Sequence, residues 1–383
     1  MAAASDKARF FLEQSVPELK ELEKKKIFTA EEISKIARQR SDFEHKINAR
    51  GSTATDYLRY AEFETNVDAL RKKRMKRMGI RSTSHNGQRR IFFVLDRATK
   101  KHPSDVGLWL QAIEYAKAQK ANKKLQQLFT SVLRLHPTRP ELWIYAAQFA
   151  MEENGNMTEA RGYMQRGLRF NKNKKSLWTQ YLRLEMSYIA KIQARREILG
   201  IAAAEADSSG RAQEAAPASI TTGDVVPEEE GDQVDSRALQ ALDNVPAQSG
   251  AIPIAVFDAA MEQFDNDEDV VAELLKALED YEHLEVLGKI VRHIRNTIDG
   301  GSKKPWLVCI CDIWLPVIGM TPNSEAFPAA FRSALQQLRS AQKQFKHSLE
   351  LSYWAKRWLQ RIAEVEDLDP ALLTVATAVS QTL

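Results

Sequence analysis

The chain is poor in cysteine: Cys309 and Cys311 are its only two thiols in 383 residues. Two thiols two positions apart cannot staple a fold of this size, so no disulfide framework is expected and a reducing compartment suits the chain. Long apolar runs are missing as well. The longest candidate, "WLVCICDIWLPVIGM" from Trp306 to Met320, is broken by Asp312 and Pro316 and reads as a buried helix, not a membrane span. The opening "MAAASDKARFFLEQSVPEL" has no basic region ahead of a pure apolar core, so a secretory signal is not expected. The punctuation of catalysis is absent too: there is no Gly-rich phosphate loop, no G-x-S-x-G elbow and no H-E-x-x-H. Residues two apart on a helix face different sides, so Cys309 and Cys311 are expected as packed thiols. A metal site would need further ligands that their neighbourhood lacks. His283 and His293 show no carboxylate partners in the local pattern. The acid pairs Glu152-Glu153 and Asp267-Glu268-Asp269 read as helix N-termini, where the macrodipole favours anions. An enzyme, a metal and a cofactor are therefore not expected.

What is present is charge, unevenly spread. The net charge of +4 conceals a basic front and an acidic back. Residues 1–200 hold 40 Lys and Arg against 22 Asp and Glu; residues 201–383 hold 15 against 29. The front favours polyanions and the back does not. The sharpest feature is Leu70 to Arg90, "LRKKRMKRMGIRSTSHNGQRR", with nine Lys or Arg and no acid. These nine, Arg71, Lys72, Lys73, Arg74, Lys76, Arg77, Arg81, Arg89 and Arg90, are the candidate polyanion or partner contacts. Such a run repels itself, so some anion is expected to compensate it, RNA phosphate or an acidic protein surface. A nuclear or nucleolar address is a further reading, and a solvated helix face the plain one.

Also present is a repeat. Trp109, Trp143 and Trp178 are separated by 34 and 35 residues, and each opens a similar segment: "LWLQAIEYA", "LWIYAAQFA", "LWTQYLRLE". The following segments align as well, with Ala98, Val132 and Gly167 at one position, and His102-Pro103 and His136-Pro137 closing two of them. A period of this length with two helical patterns marks an α-solenoid of stacked helical hairpins. Trp109, Ala112, Ile113 and Ala116 form one stripe; Leu125, Leu128, Phe129, Val132 and Leu133 form the next. One hairpin cannot bury both stripes, so its neighbour must. Proline after the second helix ends it, and small residues such as Ala98 and Gly167 permit close helix crossing. The three tryptophans are assigned to the repeat cores.

The stretch from Leu142 to Glu185 resembles the half-a-tetratricopeptide, or HAT, repeat of RNA-processing proteins. The residues that carry the likeness are Trp143, Tyr145 and Ala146, then Ala160, Arg161, Arg166, Gly167 and Leu168, then Trp178 and Glu185. The preceding unit departs from the pattern, with Ser131 in the place of Arg166. Upstream, "DYLRYAEFETNVDALRKKRMKRMGI" from Asp56 and "LEQSVPELKELEKKKIFTAEEISKIARQRSDFEHKI" from Leu12 resemble the N-terminal segment of the U3 small nucleolar RNA-associated HAT-repeat family. The likeness covers roughly residues 9–200. It implies a non-catalytic scaffold of the small-subunit processome, a subunit of its UTP-B subcomplex, in the nucleus and nucleolus. It also implies partners among the propeller-containing subunits of that subcomplex, with U3 small nucleolar RNA and pre-ribosomal RNA in the same particle, and no membrane. The alternatives are a HAT scaffold of another RNA machine, in splicing or mRNA 3′-end formation, and a tetratricopeptide-type peptide adaptor. The latter needs a repeated carboxylate clamp on the inner helices, which the sequence does not show.

The expected organisation is an N-terminal helical segment, 1–90; HAT repeats, 91–200; a flexible insertion, 201–250; and further HAT-like repeats, 251–383. In the first part, Thr29 and Glu32 are spaced as a capping box, and Tyr57 stands where a repeat has its Trp. The insertion is rich in Ala, Ser, Gly, Pro and acid and has no aromatic residue, so it cannot bury enough surface to order itself. Its Glu228-Glu229-Glu230 run reads as solvated acid. The helices on either side, Leu177–Leu199 and "IPIAVFDAAMEQF", look like the two halves of one hairpin. Paired helices then resume, ending in the short segment "DPALLTVATAVSQTL".

Overall fold

The computed structural model describes residues 2–80, 86–198, 249–298, 304–345, 348–365 and 368–382. The expected insertion at 201–250, with its run of three glutamates, lies almost wholly outside the described residues, as does Arg81. The described residues form α-helices joined by turns, with one short 3-10 segment and no strand. They fall into two compact units, Met1–Pro137 and Thr138–Leu383.

The first unit holds α1 (Ala2–Glu13), α2 (Val16–Lys24), α3 (Ala30–Asn48), α4 (Ala54–Arg77), α5 (Asn86–Lys101), α6 (Val106–Ala118) and α7 (Asn122–Leu135). The capping box is formed: the Glu32 amide donates to Thr29 Oγ1 at 3.3 Å, and the Thr29 amide to Glu32 Oε2 at 3.0 Å. At the next start the Thr53 amide donates to Asp56 Oδ2 at 2.9 Å. Helix α3 packs on α1, α2 and α4, and α4/α5 and α6/α7 are antiparallel hairpins, each leaning on the next. Leu19, Leu22, Ile27, Phe28, Ile36 and Met75 form the core beneath α2 and the C-terminal end of α4.

The second unit holds α8 (Pro140–Glu152), α9 (Met157–Phe170), α10 (Lys175–Ile198), α11 (Ala251–Gln263), α12 (Glu268–Leu278), α13 (Glu285–Ile298), α14 (Trp306–Trp314), α15 (Phe327–Gln344), α16 (Leu349–Ala363) and α17 (Pro370–Thr382). Helix α10 packs on α8, α9, α11 and α12. Helices α10 and α11, which flank residues 199–248 in the chain, therefore meet, as two halves of a hairpin do. The pairs α14/α15 and α16/α17 continue the pattern. Each unit is a stack of helical hairpins, the α-solenoid arrangement that the period of the sequence implies.

Two details differ from the sequence reading. Glu152 and Glu153 end α8 instead of opening α9, because the helix continues past the alanines to Glu152 and the break comes only at the following Asn-Gly-Asn. The Asp267 group does sit at a start, its side chain accepting from the Asp269 amide at 3.0 Å. His293 also has a carboxylate: Nε2 lies 2.7 Å from Asp258 Oδ1 on α11, a partner 35 residues away that no local pattern discloses. Cys311 is buried, and burial pushes its thiol up to about 12; Cys309 is half-buried and its thiol is raised by the same cause. No group of His, Cys, Asp or Glu that could hold a metal occurs among the described residues.

Candidate interaction surface

The three tryptophans occupy matching places at the starts of α6, α8 and α10 and are 5%, 4% and 8% exposed. The indole N–H of Trp109 donates to the Pro103 carbonyl, and that of Trp178 to the Lys172 carbonyl, both at 3.0 Å and both six residues back. The indole thus fills the hairpin core and also ties down the loop before it. His136 Nε2 lies 2.8 Å from the same Pro103 carbonyl. A carbonyl only accepts, so this nitrogen carries the ring proton. The His-Pro punctuation of one hairpin is in this way bonded to that of the one before. Tyr57, at 3% exposure, fills the tryptophan's place in α4, and its hydroxyl donates to the Ile47 carbonyl at 3.3 Å. Gly167 presses against Trp143: a methyl group there would lie 2.9 Å from the tryptophan Cβ and Cγ.

A second repeated device links neighbouring hairpins. Arg161 on α9 holds Glu185 on α10 through two bonds of 2.8 Å. Arg40 on α3 holds Glu64 on α4 through bonds of 2.7 and 2.8 Å. Both pairs span 24 residues. In both, the glutamate lies seven positions after the aromatic residue that opens its helix, Trp178 or Tyr57. Glu185 is fully buried, and Arg40 and Glu64 are each 2% exposed. Bonding to Glu185 raises the Arg161 guanidinium's pKa further. The α3–α4 step is therefore built like a repeat step, although α3 carries none of the tryptophan signature. Arg97, which bonds Glu44 at 2.9 Å, adds a further ion pair of the same unit.

The basic stretch is split by the structure into committed and free charges. Arg71 is buried and held by Asp68 at 2.6 Å, and Lys72 takes the other oxygen of Asp68 at 2.8 Å. Arg74 forks onto Glu32 at 2.6 and 2.7 Å, donates to the Ile27 carbonyl at 3.0 Å and lies over the Phe28 ring. Arg74, together with the Thr29 amide, lowers the Glu32 carboxyl to about 2. Arg90 is held by Glu18 at 3.0 Å. The compensating anions for these four are thus the chain's own carboxylates, drawn from α2, α3 and α4. Lys73, Lys76, Arg77 and Arg89 are exposed and make no ion pair with a described residue. Three of these free cations occupy the last turns of α4, the end of a helix that favours positive charge.

The class of protein these features define is an all-helical repeat protein, in which hairpins are joined by core aromatic residues and buried Arg–Glu pairs. Comparison with known families agrees. Residues 94–213 match the PRP39 N-terminal HAT repeat, and residues 12–101 match the family of U3 small nucleolar RNA-associated protein 6. The chain is 39% identical over 199 residues to U3 small nucleolar RNA-associated protein 6 of Schizosaccharomyces pombe, 51% of this chain and 41% of that protein. It is 30% identical over 190 residues to the Homo sapiens homolog, 49% of this chain and 32% of that one. It is 32% identical over 187 residues to the Dictyostelium discoideum homolog, 48% and 31%. The matches relate the first half of the chain to the U3 small nucleolar RNA-associated protein 6 family with a HAT repeat region, and they span less than half the length of those relatives.

Proposed function

We propose that this chain is a non-catalytic scaffold subunit of the nucleolar small-subunit processome and acts in maturation of small-subunit ribosomal RNA. The observation that carries the reading is the family match over residues 12–101, the part of the chain that precedes the tryptophan repeats. The described residues of that stretch fold as helices tied by ion pairs, a framework for binding, and bring together no constellation for chemistry among themselves. On this reading the repeats grip segments of neighbouring subunits, propeller-containing proteins of a UTP-B-type subcomplex among them. The free cations Lys73, Lys76, Arg77 and Arg89 supply the polyanion or partner contact within a particle that holds U3 small nucleolar RNA and pre-ribosomal RNA.

The match of residues 94–213 to the PRP39 HAT repeat favours a second reading, a scaffold of another RNA-processing machine. Affinity purification of the tagged chain from nuclear extract, with RNA and protein both identified, separates the two. Enrichment of U3 small nucleolar RNA with processome proteins supports the first. Spliceosomal RNAs without U3 support the second, and recovery of neither RNA defeats both.

A further inference from the structure

A cavity of about 530 Å³ opens among α1, α2 and α5, within the first unit. Phe11, Pro17 and Phe93 form its apolar wall, and Glu18, Arg89 and Arg90 its charged one. The two rings meet at 5.1 Å, and the Arg97 guanidinium lies over both, at 4.4 and 5.1 Å. Beside them Phe10 is 55% exposed and Phe93 38%. Aromatic surface of this size, left open to water, forfeits the burial that would stabilise it.

The charged wall is unbalanced toward N–H donors. Glu18 Oε2 serves two guanidiniums, Arg90 at 3.0 Å and Arg40 at 3.9 Å. It saturates neither: Arg90 Nε and Arg40 Nη1 are buried without a hydrogen-bond partner. Buried donors in this condition favour negative charge nearby. At the rim Arg89 is exposed and unpaired among the described residues.

We propose that this cavity docks a segment of a partner protein in which a leucine or phenylalanine stands beside an aspartate or glutamate. The apolar side chain covers Phe93 and Phe11, and the carboxylate meets Arg89, the charge the chain itself leaves unanswered. Single-stranded RNA fits less well. It requires a row of unpaired cations and open ring faces; here one cation of the lining is unpaired, and Arg97 already lies over both rings. The site goes beyond the processome reading, and its test does not depend on which machine the chain serves.

The test is fluorescence anisotropy on the full chain with three labelled probes: a peptide alternating Leu and Phe with Asp and Glu, the same peptide with Asn and Gln for the acids, and a single-stranded RNA of mixed sequence. The acidic peptide is expected to bind, and its amide version about tenfold more weakly, the scale of one charge-assisted hydrogen bond. Arg89→Glu should weaken the acidic peptide by a similar factor while Arg89→Lys keeps most of the affinity, and Phe93→Ser should weaken both peptides. Unchanged circular dichroism of each variant shows that the fold is retained, and Lys123→Glu, on the exposed face of α7 and outside the cavity lining, should leave binding as it was. Three results overturn the proposal: no binding of the acidic peptide, binding indifferent to Arg89 and Phe93, or RNA that binds through those same residues.

Discussion

At Gly167 the fold leaves no space for a side chain, since a methyl group would meet Trp143 at 2.9 Å. Gly167→Ala should destabilise the chain by roughly 1–3 kcal/mol through overpacking, read from the urea midpoint. Trp143→Ala should cost roughly 3–5 kcal/mol by emptying the place the indole fills. The Arg161–Glu185 pair sets a different kind of test. Removing Arg161 strands a fully buried carboxylate and should cost about 3–5 kcal/mol, whereas replacing both partners with apolar residues of similar volume should come out close to neutral. A double-substitution cycle measures this; equal losses for the single and double variants would mean that packing, not charge pairing, dominates. Glu32 gives a pH prediction. Its carboxyl is lowered by Arg74 from the ordinary 4.5 to about 2. The unfolded chain therefore binds the proton first, so the pair's contribution is complete above about 4.5 and is lost as the pH falls toward about 2. Glu32→Gln should flatten stability across that acid window and leave the neutral-to-alkaline side with the same slope.

At the scale of the element, α4 carries both the structural and the free halves of the basic stretch. Lys73, Lys76 and Arg77 are exposed and take no part in the ion pairs that Arg71, Lys72 and Arg74 make with Asp68 and Glu32. Reversing the charge of the three free residues should weaken recruitment to the particle with the thermal midpoint held. Reversing Arg71 and Arg74 should lower the midpoint as well, because it leaves buried or half-buried carboxylates facing like charge. If the free cations contact single-stranded RNA, each lost phosphate contact should reduce the salt slope of binding by about 0.7. A slope that does not change would assign them to a protein surface or to targeting. Helices α3 and α5 show the limit of reading elements singly. Both look ordinary in sequence, yet Arg40 and Arg97 make them steps of the stack.

For the whole molecule, the governing fact is that, within each unit, the described hairpins pack on one another, so stability spreads along the unit and weakens toward its ends. The amides of α17, which packs on α16, should exchange with deuterium faster than those of α12, which packs on α10, α11 and α13. Uniform protection along the second unit would contradict this. The asymmetry of charge acts at the same scale. The basic first 200 residues should lose polyanionic partners as salt rises, and the acidic remainder should not.

The sequence by itself determined the period, the helical class and the hairpin pairing. These depend on spacings of about 34 residues and on stripes within single helices, which are visible in one dimension. It also marked Trp109, Trp143 and Trp178 as one recurring position, and Ala98, Val132 and Gly167 as another. Only the tertiary structure decided which cations are spent. Arg71, Arg74 and Arg90 look no different in sequence from Lys73, Lys76 and Arg89, and the carboxylates that claim Arg74 and Arg90 lie 42 and 72 residues away. The cavity beside Phe11 and Phe93 was equally out of reach, since its walls come from helices that meet only after the chain has turned back several times. Local pattern records what a helix must bury; which charge finds a partner is settled by distance in three dimensions, where Coulomb attraction and desolvation are decided.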